Sequence, residues 1–441
     1  MNCLIIAAGR GRRFLSQGDS KPLIRLLGLS LIERVILTAN SVGLNDYYVV
    51  SGYNGEKLRQ ALDRLSRSRN LRITHLINEE WEKENGLSVL KAKTVLNQNF
   101  ILLMADHILD ESILLKLKNQ PIAEAETILA VDYNIDTNKL VDADDVTKVL
   151  VAGDRIVDIG KNIKKYNAYD TGVFLLCSPD IFSAIEESVQ RGDSSLSGAI
   201  RIAAEDNKAK AMGIKDAFWI DVDDDLSLKK AEGQLLSTVK KSSDGFISRY
   251  INRPLSIRAT KHLLKTEITP NSVSFFSFVL SMVGAVFFFS GGYIPLVIGS
   301  ILAQISSIID GCDGEIARLR FQVTEFGGWF DAVLDRYADG FLLLGLTFQV
   351  YSTNVHFLIV LIGFLAILGT FMNSYTAEKF DRFMQRRLPH GKYYFRMGRD
   401  LRMFIIFLGG LANQPLLVLV VIALIMNAEN VRRMILVVEN E

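Results

Sequence analysis

Asp310-Gly311-Cys312-Asp313-Gly314-Glu315-Ile316-Ala317-Arg318 is followed eight residues later by Gly327-Gly328-Trp329-Phe330-Asp331-Ala332-Val333-Leu334-Asp335. Asp310 and Asp313 are three apart, and Asp331 and Asp335 four apart, so on helices each pair occupies one face. Two adjacent helices carrying them aim four carboxylates at one point. The residues around them are strongly apolar, and carboxylates at the edge of a membrane segment are costly to bury without a partner. These helices offer no matching set of lysines. A metal is the simplest partner, and hard oxygen ligands suit Mg²⁺ or Mn²⁺.

Outward from this string the chain is apolar over long stretches. Residues 272–309, 340–377 and 403–428 contain no Asp, Glu, Lys or Arg. A spanning helix needs about 20 mostly apolar residues. The first two stretches accommodate two passes each, with breaks at Gly291-Gly292-Tyr293 and Tyr351-Ser352-Thr353-Asn354. The third accommodates two if one helix begins near Arg399 and the chain turns at Asn413-Gln414-Pro415. This predicts an all-α domain of six transmembrane helices over 271–441. The uncharged turns alternate with segments holding Arg318 and Arg320, Lys379 to Arg402, and Arg432-Arg433. Basic loops stay cytoplasmic. The expectation is a multi-pass protein of the cell membrane, in contact with the lipid bilayer, with its soluble part and both active sites on the cytoplasmic face. Residues 236–270 read as a linker. Within it Phe246, Ile247, Tyr250 and Ile251 are expected to share one face of an interfacial helix, with Arg249 and Arg253 beside it.

Residues 1–235 have a different character. The apolar runs Cys3–Ala7, Tyr47–Ser51, Phe100–Ala105 and Gly172–Leu176 alternate with helix-like stretches. That alternation predicts an α/β domain around a mostly parallel sheet covered on both faces. Lys and Arg number 50 against 49 Asp and Glu, which excludes a broadly basic nucleic-acid binder and an acidic disordered tail. The three cysteines are far apart, so no disulfide framework or metal knuckle is expected, and a reducing compartment is. The first residues read as a strand entering a Gly loop rather than a signal peptide.

That loop is Ala7-Ala8-Gly9-Arg10-Gly11-Arg12-Arg13-Phe14, with Lys21-Pro22-Leu23 after it. Glycines let backbone approach phosphates, and Arg13 and Lys21 add positive charge for a polyphosphate. No Gly-Lys-Ser/Thr follows, and Phe14 stands where a dinucleotide fingerprint needs its third Gly. Asp106 ends an apolar run, at the strand end where open α/β sheets place ligands. His107 beside it is assigned no role.

The string A-A-G-x-G-x-R…K-P-L resembles the Rossmann-like nucleotidyltransferases that couple a nucleoside triphosphate to a sugar or polyol phosphate. The resemblance spans most of residues 1–235. It implies that Ala8, Gly9, Gly11 and Arg13 hold the triphosphate and that Lys21 contacts phosphate. It also implies that Asp106 and a late Asp hold Mg²⁺. Asp221 is chosen for the latter over Asp223, within the acidic run Asp221–Asp225. Asn85 and Ser88 match the segment contacting substrate and base.

The string D-x-x-D-G-x-x-A-R-x8-G-x3-D-x3-D is met at every position and resembles the signature of the CDP-alcohol phosphotransferases, a six-helix membrane family. The resemblance runs from about Arg249 to the C-terminus. It implies that Asp310, Asp313, Asp331 and Asp335 bind metal, with Asp335 the favoured general base. It places the nucleotide against Gly314, Ala317, Arg318, Gly327, Pro270 and Asn271, and it implies a homodimer. Arg336, Lys379, Arg382, Arg399 and Arg402 are candidates for holding an acceptor phosphate; their alternative role is topology alone.

The two halves in this order resemble the bifunctional inositol-1-phosphate cytidylyltransferase/CDP-inositol:inositol-phosphate transferases. The resemblance implies CTP and inositol-1-phosphate as substrates, CDP-inositol as the intermediate, and phospho-di-inositol phosphate, pyrophosphate and CMP as products. Two other readings stay open: a phospholipid enzyme with a lipid acceptor or CDP-diacylglycerol donor, and a non-enzymatic nucleotide or metal sensor on a membrane anchor.

Overall fold

The alternation in the first strand feeds two cores at once. In β1 (Asn2–Ala7), Cys3, Ile5 and Ala7 enter one apolar cluster, and Leu4 and Ile6 enter another on the opposite face. A computed structural model describes residues 1–11, 20–240, 245–387 and 398–439, without the side chains of 378, 381–387 and 439. The chain forms two compact units, Met1–Gln234 and Leu235–Glu441.

In the first unit, β2 (Asp46–Ser51), β3 (Arg72–Ile77), β4 (Phe100–Met104), β5 (His107–Leu109), β6 (Thr127–Asp132), β7 (Lys148–Ala152), β8 (Arg155–Gly160), β9 (Ala168–Leu176), β10 (Ala209–Gly213) and β11 (Trp219–Asp221) follow β1. Nine of them form one sheet in the order β3-β2-β1-β4-β9-β6-β10-β8-β7. The β3-β2-β1-β4 half is parallel, as expected. The other half is mixed: β9 runs antiparallel to β4, β6 and β7, while β10 is parallel to β6. A strand buried on both faces is apolar whichever way it runs, so the pattern carries no direction. Helices cover both faces. One of them, Leu31–Ser41, opens on a capping box in which Ser30 and Glu33 bond each other's backbone.

The second unit is helical among its described residues. It comprises α1 (Arg253–Leu263), α2 (Pro270–Phe289), α3 (Tyr293–Leu319), α4 (Glu325–Thr353), α5 (Phe357–Arg387), α6 (Arg399–Leu411) and α7 (Pro415–Glu439). Thr269 caps α2 with Pro270 in its first turn, and Thr324 caps α4 through the Gly327 amide. Gly291 and Gly292 turn α2 into α3 with φ of 72° and 81°, a region only glycine enters freely. Four of these helices, α2, α3, α5 and α7, are long and apolar enough to cross a membrane. α4 carries Asp331, Asp335, Arg336 and Asp339, and α6 has 13 residues, which keeps both below that standard.

The face expected before α1 is divided. Phe246 and Tyr250 are exposed with their rings 4.8 Å apart, whereas Ile247 is buried. Arg253, expected beside that face, turns inward to Glu315 because a fully buried carboxylate needs a counter-charge.

Candidate active sites

The site in the first unit is assembled by a short ribbon off the main sheet. β5 and β11 pair antiparallel with His107 opposite Asp221, and the Val222 amide donates to the Asp106 carbonyl at 3.1 Å. Residues more than 100 positions apart thus share one end of a strand pair. Trp219 is pinned by its indole N–H on Asp132 Oδ2 at 3.0 Å, and the His107 ring stacks parallel to it.

Lys21 stands in the middle of the carboxylates. Its ammonium is 2.5 Å from Asp106 Oδ2, 2.5 Å from Asp223 Oδ1 and 3.7 Å from Asp221 Oδ1. Burial opposes its charge, but Asp106, Asp221 and Asp223 outweigh burial and lift it above the ordinary lysine range. Asp106 is drawn the other way: burial raises it, yet Lys21 and His107 hold it well below the usual carboxylate range. Burial pushes Asp221 up to about 6, with His107 opposing and Asp106 adding to the rise. His107 is raised to about 9, Asp221 and Asp106 prevailing over burial. Gly11 has φ +61°, and a Cβ there would lie 2.5 Å from Lys21 Cβ, so the loop rests directly on the lysine.

A cavity of about 610 Å³ opens over these groups, lined in part by Gly9, Asn85, Asp106, His107, Asp221 and Asp223. Ala8 is buried beside Gly9. Asn85 also accepts from the Leu196 amide at 2.9 Å. Ser88 lies outside the lining; it is buried and accepts from Asn78 Nδ2 at 2.9 Å. Arg13 is outside the described residues. Asp106, His107 and Asp221 each present an atom within 4.8 Å of the others, and Asp221 Oδ1 is a buried oxygen without a hydrogen bond among the described residues. That donor set fits a divalent cation. His107 is the member that sequence reasoning passed over; the signal was its place beside the strand-end Asp.

In the second unit α3 and α4 bring three of the four predicted carboxylates together, as the spacing requires. Asp310, Asp331 and Asp335 offer oxygens within 4.8 Å of one another, an oxygen-only group fitting Mg²⁺ or Mn²⁺. Asp313 is one turn along α3 and is held by the Ser274 hydroxyl and the Gly314 amide. A Cβ on Gly327 would lie 3.2 Å from Asn271 Oδ1, so the start of α4 touches the start of α2, where Pro270 stands. Gly314 and Ala317 lie half-buried on α3. Arg318 donates to the Val239 carbonyl at 3.1 Å.

Arg399, first residue of α6, reaches into this group. Its Nη1 is 3.0 Å from Asp310 Oδ1 and 2.7 Å from Asp335 Oδ1, and its Nε is 3.2 Å from Asp339 Oδ1. Asp339 is fully buried and also holds Arg402 at 2.5 Å. It sits one turn beyond Asp335 on the same face of α4, a spacing visible in the sequence but unread. A cavity of about 410 Å³ beside the carboxylates is lined by Arg253, Arg336, Arg399, Arg402 and Arg433 together with Asp310 and Asp335. Lys379 lies outside that lining, its ammonium over the Tyr375 ring at 4.3 Å. Of Arg382 only the helical backbone is described.

The chain matches two family models: "MobA-like NTP transferase domain" over residues 3–207 and "CDP-alcohol phosphatidyltransferase" over residues 267–434. It is 33% identical to the "Bifunctional IPC transferase and DIPP synthase" of Rubrobacter xylanophilus, across 98% of this chain and 95% of that one. The protein of the same description from Aquifex aeolicus is 32% identical across 86% of this chain and 83% of its own length. Among solved structures, the inositol-1-phosphate CTP transferase from T. maritima is similar over 52% of this chain and 96% of that one, at 23% identity and a TM-score of 0.47.

Proposed function

This chain belongs to the family of the bifunctional IPC transferase and DIPP synthases, and from that premise we propose a two-step enzyme. In the first unit a phosphate oxygen of inositol-1-phosphate attacks the α-phosphorus of CTP. The new P–O bond gives CDP-inositol, and the broken α–β bond releases pyrophosphate. In the second unit a hydroxyl of another inositol-1-phosphate attacks the CDP-inositol phosphorus bonded to inositol. This gives phospho-di-inositol phosphate and releases CMP. The observation that carries the reading is the presence, in one chain, of two separate carboxylate groups, each meeting a buried basic side chain beside a cavity.

Asp106 and Asp221 would hold a divalent cation in the first unit, and Asp310, Asp313, Asp331 and Asp335 in the second; when bound it supplies Lewis-acid charge to the phosphates. The chain's own residues do the rest. Lys21 neutralises charge on the attacked and leaving phosphates, and the glycine loop brings backbone N–H groups to them. The attacking phosphate is already ionised, so the first step needs no general base. The second does: Asp335 accepts the hydroxyl proton at Oδ2, the oxygen 3.6 Å from Arg336 Nη1. Arg336, Arg399 and Arg402 bind the acceptor phosphate. Four apolar helices support membrane residence. In this reading α4 and α6 complete six spans, the basic loops face the cytoplasm, and the protein is a homodimer.

The test is phosphorus NMR on purified protein in detergent with Mg²⁺, CTP and inositol-1-phosphate, beside Asp310→Ala. The parent forms a water-soluble phosphodiester and CMP; the variant stops at CDP-inositol and pyrophosphate. If both stop there, the acceptor is a lipid alcohol. If neither releases pyrophosphate, the first-unit substrates are wrong.

A further inference from the structure

Arg399 and a metal need the same oxygens. Asp310, Asp331 and Asp335 form the oxygen group suited to a divalent cation, yet Arg399 Nη1 is within 3.0 Å of two of its members. Two cations sharing that space repel strongly in a poorly solvated site. The guanidinium has a second anchor outside the group. Its Nε is 3.2 Å from Asp339, a carboxylate that Arg402 also holds. A side chain anchored at Nε can withdraw Nη1 without leaving the site. The cavity beside it is where the freed nitrogens would turn, because Arg399 already lines it with Arg336 and Arg402.

We propose that Arg399 is a two-position residue: without metal it is the counter-cation of Asp310 and Asp335, and metal entry turns its guanidinium, still tethered to Asp339, into the arginine-lined cavity, where it completes an anion site. The site then binds the acceptor phosphate well only after its metal is in place. By linkage, each ligand raises affinity for the other by one common factor. The inference rests on the reading of this unit as a metal-dependent phosphotransferase. What it adds is an order of binding set by one side chain.

The first measurement needs no variant. Full-length protein in detergent is treated with phenylglyoxal, which modifies accessible arginines, and labelling of Arg399 is followed by mass spectrometry. With chelator present Arg399 is protected. Mn²⁺ alone raises its labelling rate several-fold, and adding inorganic phosphate to the Mn²⁺ form protects it again. A rate unchanged by Mn²⁺ overturns the proposal, as does phosphate protection of equal size with and without Mn²⁺. In a second measurement, Arg399→Gln binds Mn²⁺ about tenfold more tightly by electron paramagnetic resonance; equal or weaker binding overturns competition. CMP release from CDP-inositol, assayed on the same preparation, separates the two ideas. Turnover with Arg399 labelling indifferent to Mn²⁺ sinks the switch alone, and a metal-responsive Arg399 without turnover sinks the substrate reading alone.

Discussion

His107 and Asp221 face each other as partners across the β5–β11 ribbon, the imidazole Nδ1 4.0 Å from the carboxylate Oδ1. With Asp106 at 2.9 Å on the same nitrogen, the ring is protonated at neutral pH in the metal-free protein, its value raised from 6.5 to about 9. A folded-state value above the unfolded one contributes stability in full below pH 6.5, lost as pH rises through 9. Thermal unfolding in chelator is therefore expected to lose about 3 kcal/mol between pH 6.5 and 9.5. His107→Asn flattens that loss. The same slope in the variant would assign it to another group.

Lys21→Met removes the one basic side chain at bonding distance from both Asp106 and Asp223 among the described residues. Pyrophosphate release falls by roughly 100-fold, the magnitude of losing one stabilising donor to a developing anion. CMP release from supplied CDP-inositol persists. A parallel loss of both activities would refute independent sites.

Gly11→Ala places a methyl where 2.5 Å separates it from Lys21, on a backbone with φ +61°. The strain is about 1–2 kcal/mol, and the loop must shift off the lysine. The expected result is a loss of about tenfold in the first activity with a melting temperature lowered by only a few degrees. Wild-type rates would show that Lys21 does not depend on the loop.

Asp339→Asn leaves the buried Arg402 guanidinium with a neutral partner, whereas Arg399 keeps Asp310 and Asp335. Breaking a buried pair from one side costs about 3–5 kcal/mol, so the helical unit melts earlier. Asp339→Asn combined with Arg402→Met recovers part of that loss. Additive losses would mean the two residues do not interact.

Glu315 is the anchor of α1 on α3. Its carboxylate is fully buried, 2.7 Å from Arg253 Nη1, and accepts from Ser256 at 2.6 Å and Thr260 at 2.7 Å. Glu315→Leu removes the carboxylate that answers the Arg253 charge and costs about 3 kcal/mol; adding Arg253→Met recovers much of it. Calorimetry of the double-mutant cycle decides, and no recovery would place the cost in packing.

The carboxylates of the second unit were legible because helical spacing converts directly to geometry: residues three and four apart share a face. Asp339 follows the same rule and was open to the same reading. Asp106 was legible for a different reason, since it ends an apolar strand. The membrane domain's turns fall where the charge-free stretches break, at Gly291-Gly292, before Phe357 and before Pro415. Strand direction was not legible. Nor was the burial of Ser88, because a serine hydroxyl suits a ligand or a neighbouring Asn78 equally well.

Local chemistry, then, is enough to establish two unlike halves, four apolar strands of the first, the apolar helices of the second, and the carboxylates each half concentrates. These follow from periodicity and from the cost of burying charge in apolar surroundings, both properties of short windows. Which partner answers each charge belongs to the tertiary structure. Lys21 meets Asp223 across 202 positions, and Arg399 meets Asp339 across 60. Their pairing depends on the β5–β11 register and on where the start of α6 meets α4, and contacts of that range leave no periodic trace in the chain.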